Sequence, residues 1–322
     1  MKTLRIATRK SELAMTQTRL VAERIVSCAK AVGENIDYEL VSMTTEGDRR
    51  LDRSLADFGG KGVFIKELEV ALLEGRADIA VHSLKDMPAQ VLPEFKLAAV
   101  LEREDPRDAF VSKGGANGVK FMDLPAGARI GTGSIRRVVQ LKALRPDLEY
   151  VSIRGNIQTR LAKLAELDGV VLAAAGLKRM GLMDQVTEYF SAAQVLPASG
   201  QGILAVETLR EPSLDILSLL ARVNHPESYA IAVAEMSYLK ALNAGCQFPV
   251  ASHAAFIPAN NGTELANGIA GKTFVMDGIY WLESGERLLK AHLETSIPVA
   301  PVSDEFFAEQ GKLLAEKIRE QF

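Results

Sequence analysis

The feature that most narrows what this chain can fold into is an alternation over its first two-thirds. Short β-like runs are each followed by an amphipathic helical stretch. "LRIAT" leads into "SELAMTQTRLVAERIVSCAKAVG", where Val21, Ile25, Cys28 and Val32 fall at helical spacing, Ser11 stands at the start and Gly33 at the stop. "VFIKELEVALLEG" reads as a second helix stopped at Gly75, and "DIAVHS" and "KLAAVL" read as strands. "ARIGTG", "EYVSI" and "GVVLAAA" are three further strands, each leading into a helical pattern. Parallel neighbours need a long crossover, so the alternation predicts a mainly parallel sheet covered by helices. "GILAVE" comes late enough to be a candidate for returning to the first sheet.

From about residue 222 the texture changes: a long helix in "ESYAIAVAEMSYLKALNAG", strand-like "SHAAFI", "ELANGIAG" and "GIYWLES", then a final amphipathic helix through "EFFAEQGKLLAEKIREQF". This predicts a smaller α+β domain. The charged, proline-interrupted stretch "EREDPRDAF" reads either as a hinge between two α/β lobes or as a salt-bridged loop.

Composition removes several classes of function. A formal net charge of −3 offers no general field for nucleic acid. No apolar run approaches the roughly 20 residues of a membrane helix, and "MKTLRIATRK" has no secretory pattern. The two cysteines, Cys28 and Cys246, are too few for a disulfide framework. The four histidines show no metal-ligand spacing, so no metal is expected. Together these predict a cytoplasmic protein without membrane or nucleic-acid partners.

Ligands of parallel α/β sheets bind beyond the carboxyl ends of the strands. In this chain those positions are basic: Arg9-Lys10-Ser11, then Leu84-Lys85-Asp86, then Ser134, Arg136 and Arg137, then Arg154-Gly155-Asn156 with Arg160, then Lys178-Arg179. Helix starts favour anions, and guanidinium forks add bidentate recognition of carboxylate or phosphate. One such arginine is as readily a solvated surface charge, but five strand ends of one sign predict a cleft for a polyanion. "GTGSIRR" is neither a dinucleotide fingerprint, because Arg136 stands where the third glycine belongs, nor a P-loop. It fits better as an anion site built from Thr132, Ser134 and backbone N–H groups.

Two other residues invite a chemical reading. Asp86 is a lone carboxylate among cations, either a structural ion-pair partner or a general acid and cation stabiliser. Cys28 lies on a helix stripe and reads as core. Cys246 follows the helix-ending "NAG" and precedes Gln-Phe-Pro, which places it on a loop. It is either a small buried hydrophobe or a nucleophile and covalent attachment point.

The segments "IATRKSELA", "TEGD", "GGKGVFIKELEVALLEGRADIAVHSLKDMP", "EREDPRDAFVS", "GTGSIRR", "IRGNIQTRL", "AAAGLKRMGL", "LPASGQG" and "GCQFPV" occur in this order. Together they closely resemble the porphobilinogen deaminase (hydroxymethylbilane synthase) family, from residue 4 to about residue 250. "HSLKDMP" with "GCQFP" is the most specific combination. The resemblance implies an α/β protein with two periplasmic-binding-protein-like lobes and a small C-terminal α+β domain, with boundaries at 1–102 with 203–220, 107–198, and 222–322. It implies a transferase that deaminates four porphobilinogen molecules and joins them into linear hydroxymethylbilane, on a dipyrromethane cofactor bound to Cys246 by a thioether; no apolar surface in the sequence demands a partner, so a monomer is expected. The product would pass to uroporphyrinogen III synthase.

The resemblance also distributes roles. Asp86 would protonate the leaving amine and stabilise the resulting cation. Ser83, Lys85, Asp86, Thr132, Ser134, Arg136, Arg137, Arg154 and Gly155 would hold the cofactor, with Ser83 and Lys85 also holding substrate carboxylates and Asp86 contacting the pyrrole N–H groups. Arg9, Ser11, Gln17, Arg160, Arg179 and Gln201 would hold substrate, as would Arg154. "DRRLDRSLADFGGKG" reads as a polar, glycine-rich lid with Lys61 and Phe64 at its edge, Phe64 serving either as helix core or as a stacking ring. Gly133, Ala244 and Ala251 depart from the commoner family pattern. Two other readings of the chain stand beside this one: a non-catalytic anion-binding module of periplasmic-binding type, and a nucleotide-dependent dehydrogenase.

Overall fold

The computed structural model describes residues 3–45, 65–244, 248–258, 269, 271–283, 286–298 and 302–322. The expected lid, Lys61, Phe64, Cys246 and most of the expected strand "ELANGIAG" lie outside these residues. The chain divides into two units, Met1–Arg103 with Ile203–Tyr229, and Glu104–Gly202 with Ala230–Phe322.

The first unit is built on five strands: β1 (Thr3–Arg9), β2 (Asp37–Met43), β3 (Ile79–Ser83), β4 (Phe95–Val100) and β10 (Leu204–Leu209), in the order β2-β1-β3-β10-β4. β1 pairs in parallel with β2 and β3, as the alternation predicts. β10 pairs antiparallel with both β3 and β4, so "GILAVE" does return to the first sheet, and the sheet is mixed where a mainly parallel one was expected. The reason is connectivity: β10 re-enters after a long excursion, not through a crossover helix, and nothing obliges it to run parallel.

Side chains alternate between the faces of a strand. On β1, Leu4 and Ile6 join the core formed with the helix Glu12–Lys30 and the helix Leu214–Val223, through Val21, Ile25, Leu219 and Leu220. Ala7 joins the core on Leu68, Ala71 and Leu72 of the helix Lys66–Leu73. Burying one such side chain as completely as Ile6 contributes about 1.5–3 kcal/mol. Ser11 caps the long helix by accepting from the Ala14 N–H. Cys28 packs on that core as expected, whereas Val32 lies beyond the last helical turn and is 57% exposed.

The second unit repeats the plan with β5 (Asp108–Ser112), β6 (Arg129–Gly131), β7 (Glu149–Val151), β8 (Gly169–Ala173) and β9 (Glu188–Tyr189), in the order β7-β6-β8-β5-β9. β6 is parallel to β7 and β8, and β5 is antiparallel to β8 and β9. The same unit holds the small α+β domain, an antiparallel sheet of β11 (Val250–Ile257), β12 (Thr273–Leu282) and β13 (Arg287–Ser296) with the helices Pro226–Ala241 and Asp304–Arg319. Phe256, Phe274 and Phe307 meet edge to face in its core. Leu196 packs on Ala251 and Ile279, and Ser199 Oγ lies 2.6 Å from Ser252 Oγ, which joins this domain to the lobe.

The two helices of the small domain approach at Gly311, where a Cβ would stand 2.1 Å from the Ala234 carbonyl oxygen and 2.9 Å from the Tyr238 nitrogen. Overpacking of this kind costs about 1–3 kcal/mol, more than the ~1 kcal/mol that alanine contributes over glycine in a helix. Gly311→Ala should therefore lower the urea midpoint. A raised midpoint would show that the helices separate freely.

Candidate active site

In the first unit the expected residues gather at the carboxyl ends of β1 and β3. Arg9 closes β1, Ser11 opens the following helix, and Gln17 is buried in that helix with Nε2 3.0 Å from Ser83 Oγ. β3 ends at Ser83, and the chain then makes one 3-10 turn, Leu84–Asp86. Leu84 and Met87 are buried, the Leu84 N–H donates to the Ile203 carbonyl, and the Met87 N–H donates to the Leu84 carbonyl. These anchors leave Lys85 half-buried and turn Asp86 to solvent. The local sequence explains the presentation: apolar residues on either side of Lys-Asp hold the turn, and the two charges are left outside.

Behind this turn is a cluster that sequence reasoning missed. His82 Nε2 lies 2.9 Å from Glu207 Oε2, and both residues are buried. Burial, with Glu207 adding to it and Glu94 contributing less, pushes the Glu69 carboxyl up to about 7, while His82 opposes the shift. The only available signal was a histidine and a glutamate inside otherwise apolar strands, and these are far apart in sequence.

In the second unit, Thr132 and Ser134 follow β6, and Thr132 Oγ1 accepts from the Ser134 N–H at 3.4 Å. Gly133 is a fitting departure, because a Cβ there would stand 2.6 Å from the Ile153 carbonyl oxygen. Gly155 has φ +105°, which favours glycine, and its carbonyl accepts from Arg160 Nε at 2.8 Å. Asn156 caps the short helix Ile157–Ala162. Arg154 and Arg160 are half-buried. Arg179 Nη2 donates to the Gly202 carbonyl at 2.6 Å, and burial lowers its guanidinium to about 10, with Glu104 partly opposing. Ala251 is fully buried against Leu196, so its methyl fills core space.

Arg136 and Arg137 are neither solvated nor open: each is only 5% exposed. Arg136 Nη2 and Arg137 Nη2 both donate to Asp108, at 2.7 Å. Gln201 Nε2 donates to the same carboxylate at 2.9 Å. Burial alone would push the Asp108 carboxyl up, but the two guanidiniums outweigh it and hold it well below the usual carboxylate range. Asp108 was missed in the sequence because it lay inside "EREDPRDAF", read as a hinge or loop. That loop is salt-bridged, with Arg107 on Asp105 and Lys178 on Glu104. Among the described residues no group of His, Cys, Asp and Glu could hold a metal ion, and no helix is long and apolar enough to cross a membrane.

A family described as "Porphobilinogen deaminase, dipyromethane cofactor binding domain" matches residues 4–214. A porphobilinogen deaminase of Syntrophomonas wolfei is 48% identical over 254 residues, which covers 78% of this chain and 80% of that protein. One of Syntrophus aciditrophicus is 42% identical over 92% of this chain and the whole of its own length. One of Clostridium perfringens is 50% identical over 75% of this chain and 80% of its own. Among solved structures, the periplasmic VFT2 domain of Bordetella pertussis BvgS is similar at 12% identity and a TM-score of 0.39, over 71% of this chain and 92% of that one.

The Glu69 carboxyl binds its proton more tightly in the folded protein than at its ordinary value of 4.5. The folded chain therefore holds more protons than the unfolded chain between 4.5 and about 7, and stability falls as pH rises through that window. Glu69→Gln should remove this loss, so its urea midpoint should gain on wild type from pH ~5 to ~7 and hold the gain above. A constant difference across that range would mean that Glu69 titrates normally.

Proposed function

The chain belongs to the porphobilinogen deaminase family, and from that premise we propose how its own residues divide the reaction. The protein is a transferase of tetrapyrrole biosynthesis. It deaminates porphobilinogen, joins four units head to tail into linear hydroxymethylbilane and releases ammonia, using a dipyrromethane cofactor. Family membership disfavours the non-catalytic binding module and the dehydrogenase.

The observation that carries the assignment of roles is the placement of Asp86. It is an exposed carboxylate on a short turn directly beyond the carboxyl end of β3, held there by buried Leu84 and Met87. From this position Asp86 delivers a proton to the departing amine. Its carboxylate then faces the cationic carbon left behind and stabilises it electrostatically. Ser83 and Lys85, on either side of Leu84, take carboxylate arms of the ring being processed, with Gln17 fixing the Ser83 hydroxyl. Arg9, Ser11, Arg160 and Arg179 bind substrate carboxylates, whereas Gln201, expected beside them, is buried with its amide donating to Asp108 and to the Pro106 carbonyl.

The cofactor's carboxylate-bearing rings suit the second unit. Arg136, Arg137 and Asp108 together carry a surplus positive charge, and Arg137 Nε is buried without a hydrogen-bond partner among the described residues. Arg136, Arg137, Arg154, Thr132, Ser134 and the Gly155 backbone hold the acetate and propionate arms. When bound, the cofactor supplies a primer whose terminal ring carries a nucleophilic free α-carbon. Cys246 tethers it by a thioether, which keeps the growing product at high effective concentration. The same proposal includes a monomer working in the cytoplasm, consistent with two cysteines in 322 residues, and delivery of the linear product to uroporphyrinogen III synthase.

Asp86→Asn should fold and load cofactor while turnover falls about 10²–10³-fold, the loss typical of removing one group that stabilises developing charge. Turnover near wild type would sink the role of Asp86. In intact-protein mass spectra, wild type should carry the mass of two porphobilinogen-derived pyrroles and Cys246→Ser should not. A wild-type chain that stays unmodified after incubation with porphobilinogen would exclude the tether.

A further inference from the structure

Asp108 was counted above only for its charge, yet it organises the most buried charges of its lobe. It is 0% exposed at the first position of β5, whose following residues are Ala109, Phe110 and Val111. Its Oδ2 accepts from Arg136 Nη2, and its Oδ1 accepts from Arg137 Nη2 and Gln201 Nε2. The other arm of each guanidinium is also held. Arg136 Nη1 donates to the Leu196 carbonyl, and Arg137 Nη1 donates to the Val171 carbonyl at 2.9 Å. Neither fork can rotate without breaking bonds on both sides.

A purely structural arrangement would not need this many charges. One arginine balances one aspartate, whereas two arginines on one aspartate leave a unit positive charge out of water. Such a charge is unfavourable unless an anion meets it. The buried Arg137 Nε, which lacks a partner among the described residues, is a second sign of a missing acceptor.

We propose that Asp108 is a positioning residue for cofactor capture. It fixes Arg136 and Arg137 in one array whose surplus charge is matched by a carboxylate of the dipyrromethane cofactor. This rests on the reading of Arg136 and Arg137 as cofactor-binding residues.

The test compares full-length wild type, Asp108→Asn and Arg137→Gln at a temperature well below each melting point. Intact-mass spectrometry gives the loaded fraction of each purified chain. For apoprotein from the same preparations, it also gives the rate at which porphobilinogen restores the cofactor mass. Asp108→Asn should melt cooperatively at a lower temperature and reload about tenfold or more slowly, because the arginines lose their fixed geometry. A structural role alone would lower the melting temperature and leave the reloading rate unchanged. If Arg137→Gln reloads slowly while Asp108→Asn reloads like wild type, the assignment of Asp108 is overturned and the reading of the arginines stands. If Arg137→Gln also reloads like wild type, that underlying reading fails. Should Asp108→Asn not fold, Arg137→Gln is compared with Arg137→Gln/Asp108→Asn, which restores the wild-type formal charge of the cluster. Slower reloading of the double variant supports positioning of Arg136 by Asp108; equal or faster reloading overturns it.

Discussion

Parallel pairing is the constraint from which the chemistry of this protein follows. Because β1 and β3 run the same way, Arg9 and Ser83 finish at one edge of their sheet, and the helix start at Ser11 and the turn at Lys85-Asp86 finish there with them. The second lobe does the same with β6 and β8, which bring Thr132, Ser134 and the short helix ending at Arg179 to one edge. No single motif makes either set of residues. Strand direction collects groups that are far apart in sequence, and the packed cores on both faces hold the strands in register.

Much of this was legible before any coordinates. The helix capped by Ser11 and the small α+β domain follow from periodicity and from stop signals, which are local, whereas the return of "GILAVE" was only a candidate that pattern could not decide. The turn carrying Asp86 was legible through its order of apolar and charged residues. What stayed hidden was the pairing of charges across distance. Arg136 and Arg137 are separated from Asp108 by nearly thirty residues, and Glu207 is still further from His82. A sequence shows that a residue is charged but not what lies opposite it after folding. The arginines were therefore read as facing an anion, and the carboxylate of this chain to which each also donates could not be foreseen. The antiparallel strands were hidden for a related reason, since alternation describes crossovers and says nothing of strands that arrive from the other unit.

Buried charge also orders the energetics of the two lobes differently. In the first lobe, His82 and Glu207 form a buried pair, and Glu69 nearby has its carboxyl raised to about 7, so its charge changes within the physiological range. In the second lobe the guanidiniums remain charged at any physiological pH. Breaking a buried ion pair by removing one partner typically costs about 3–5 kcal/mol. The second lobe is thus held in a fixed charge state, and the first is open to tuning by pH.

The place of β10 between β3 and β4 has a consequence for how the molecule is made. Among the described residues β4 has no sheet neighbour other than β10, yet β10 begins at Leu204 and β4 ends at Val100. On a ribosome adding about 5–20 residues per second, the intervening chain takes roughly 5–20 s to appear. During that interval β3 presents an unpaired edge and β4 has nothing to join, while the sheet of the second lobe is completed by β9 at Tyr189. The lobe written second in the gene is therefore the first able to close its sheet. The nascent amino-terminal lobe cannot complete its sheet until β10 has left the exit tunnel, and until then the edges of β3 and β4 that β10 will cover stay open to other strands.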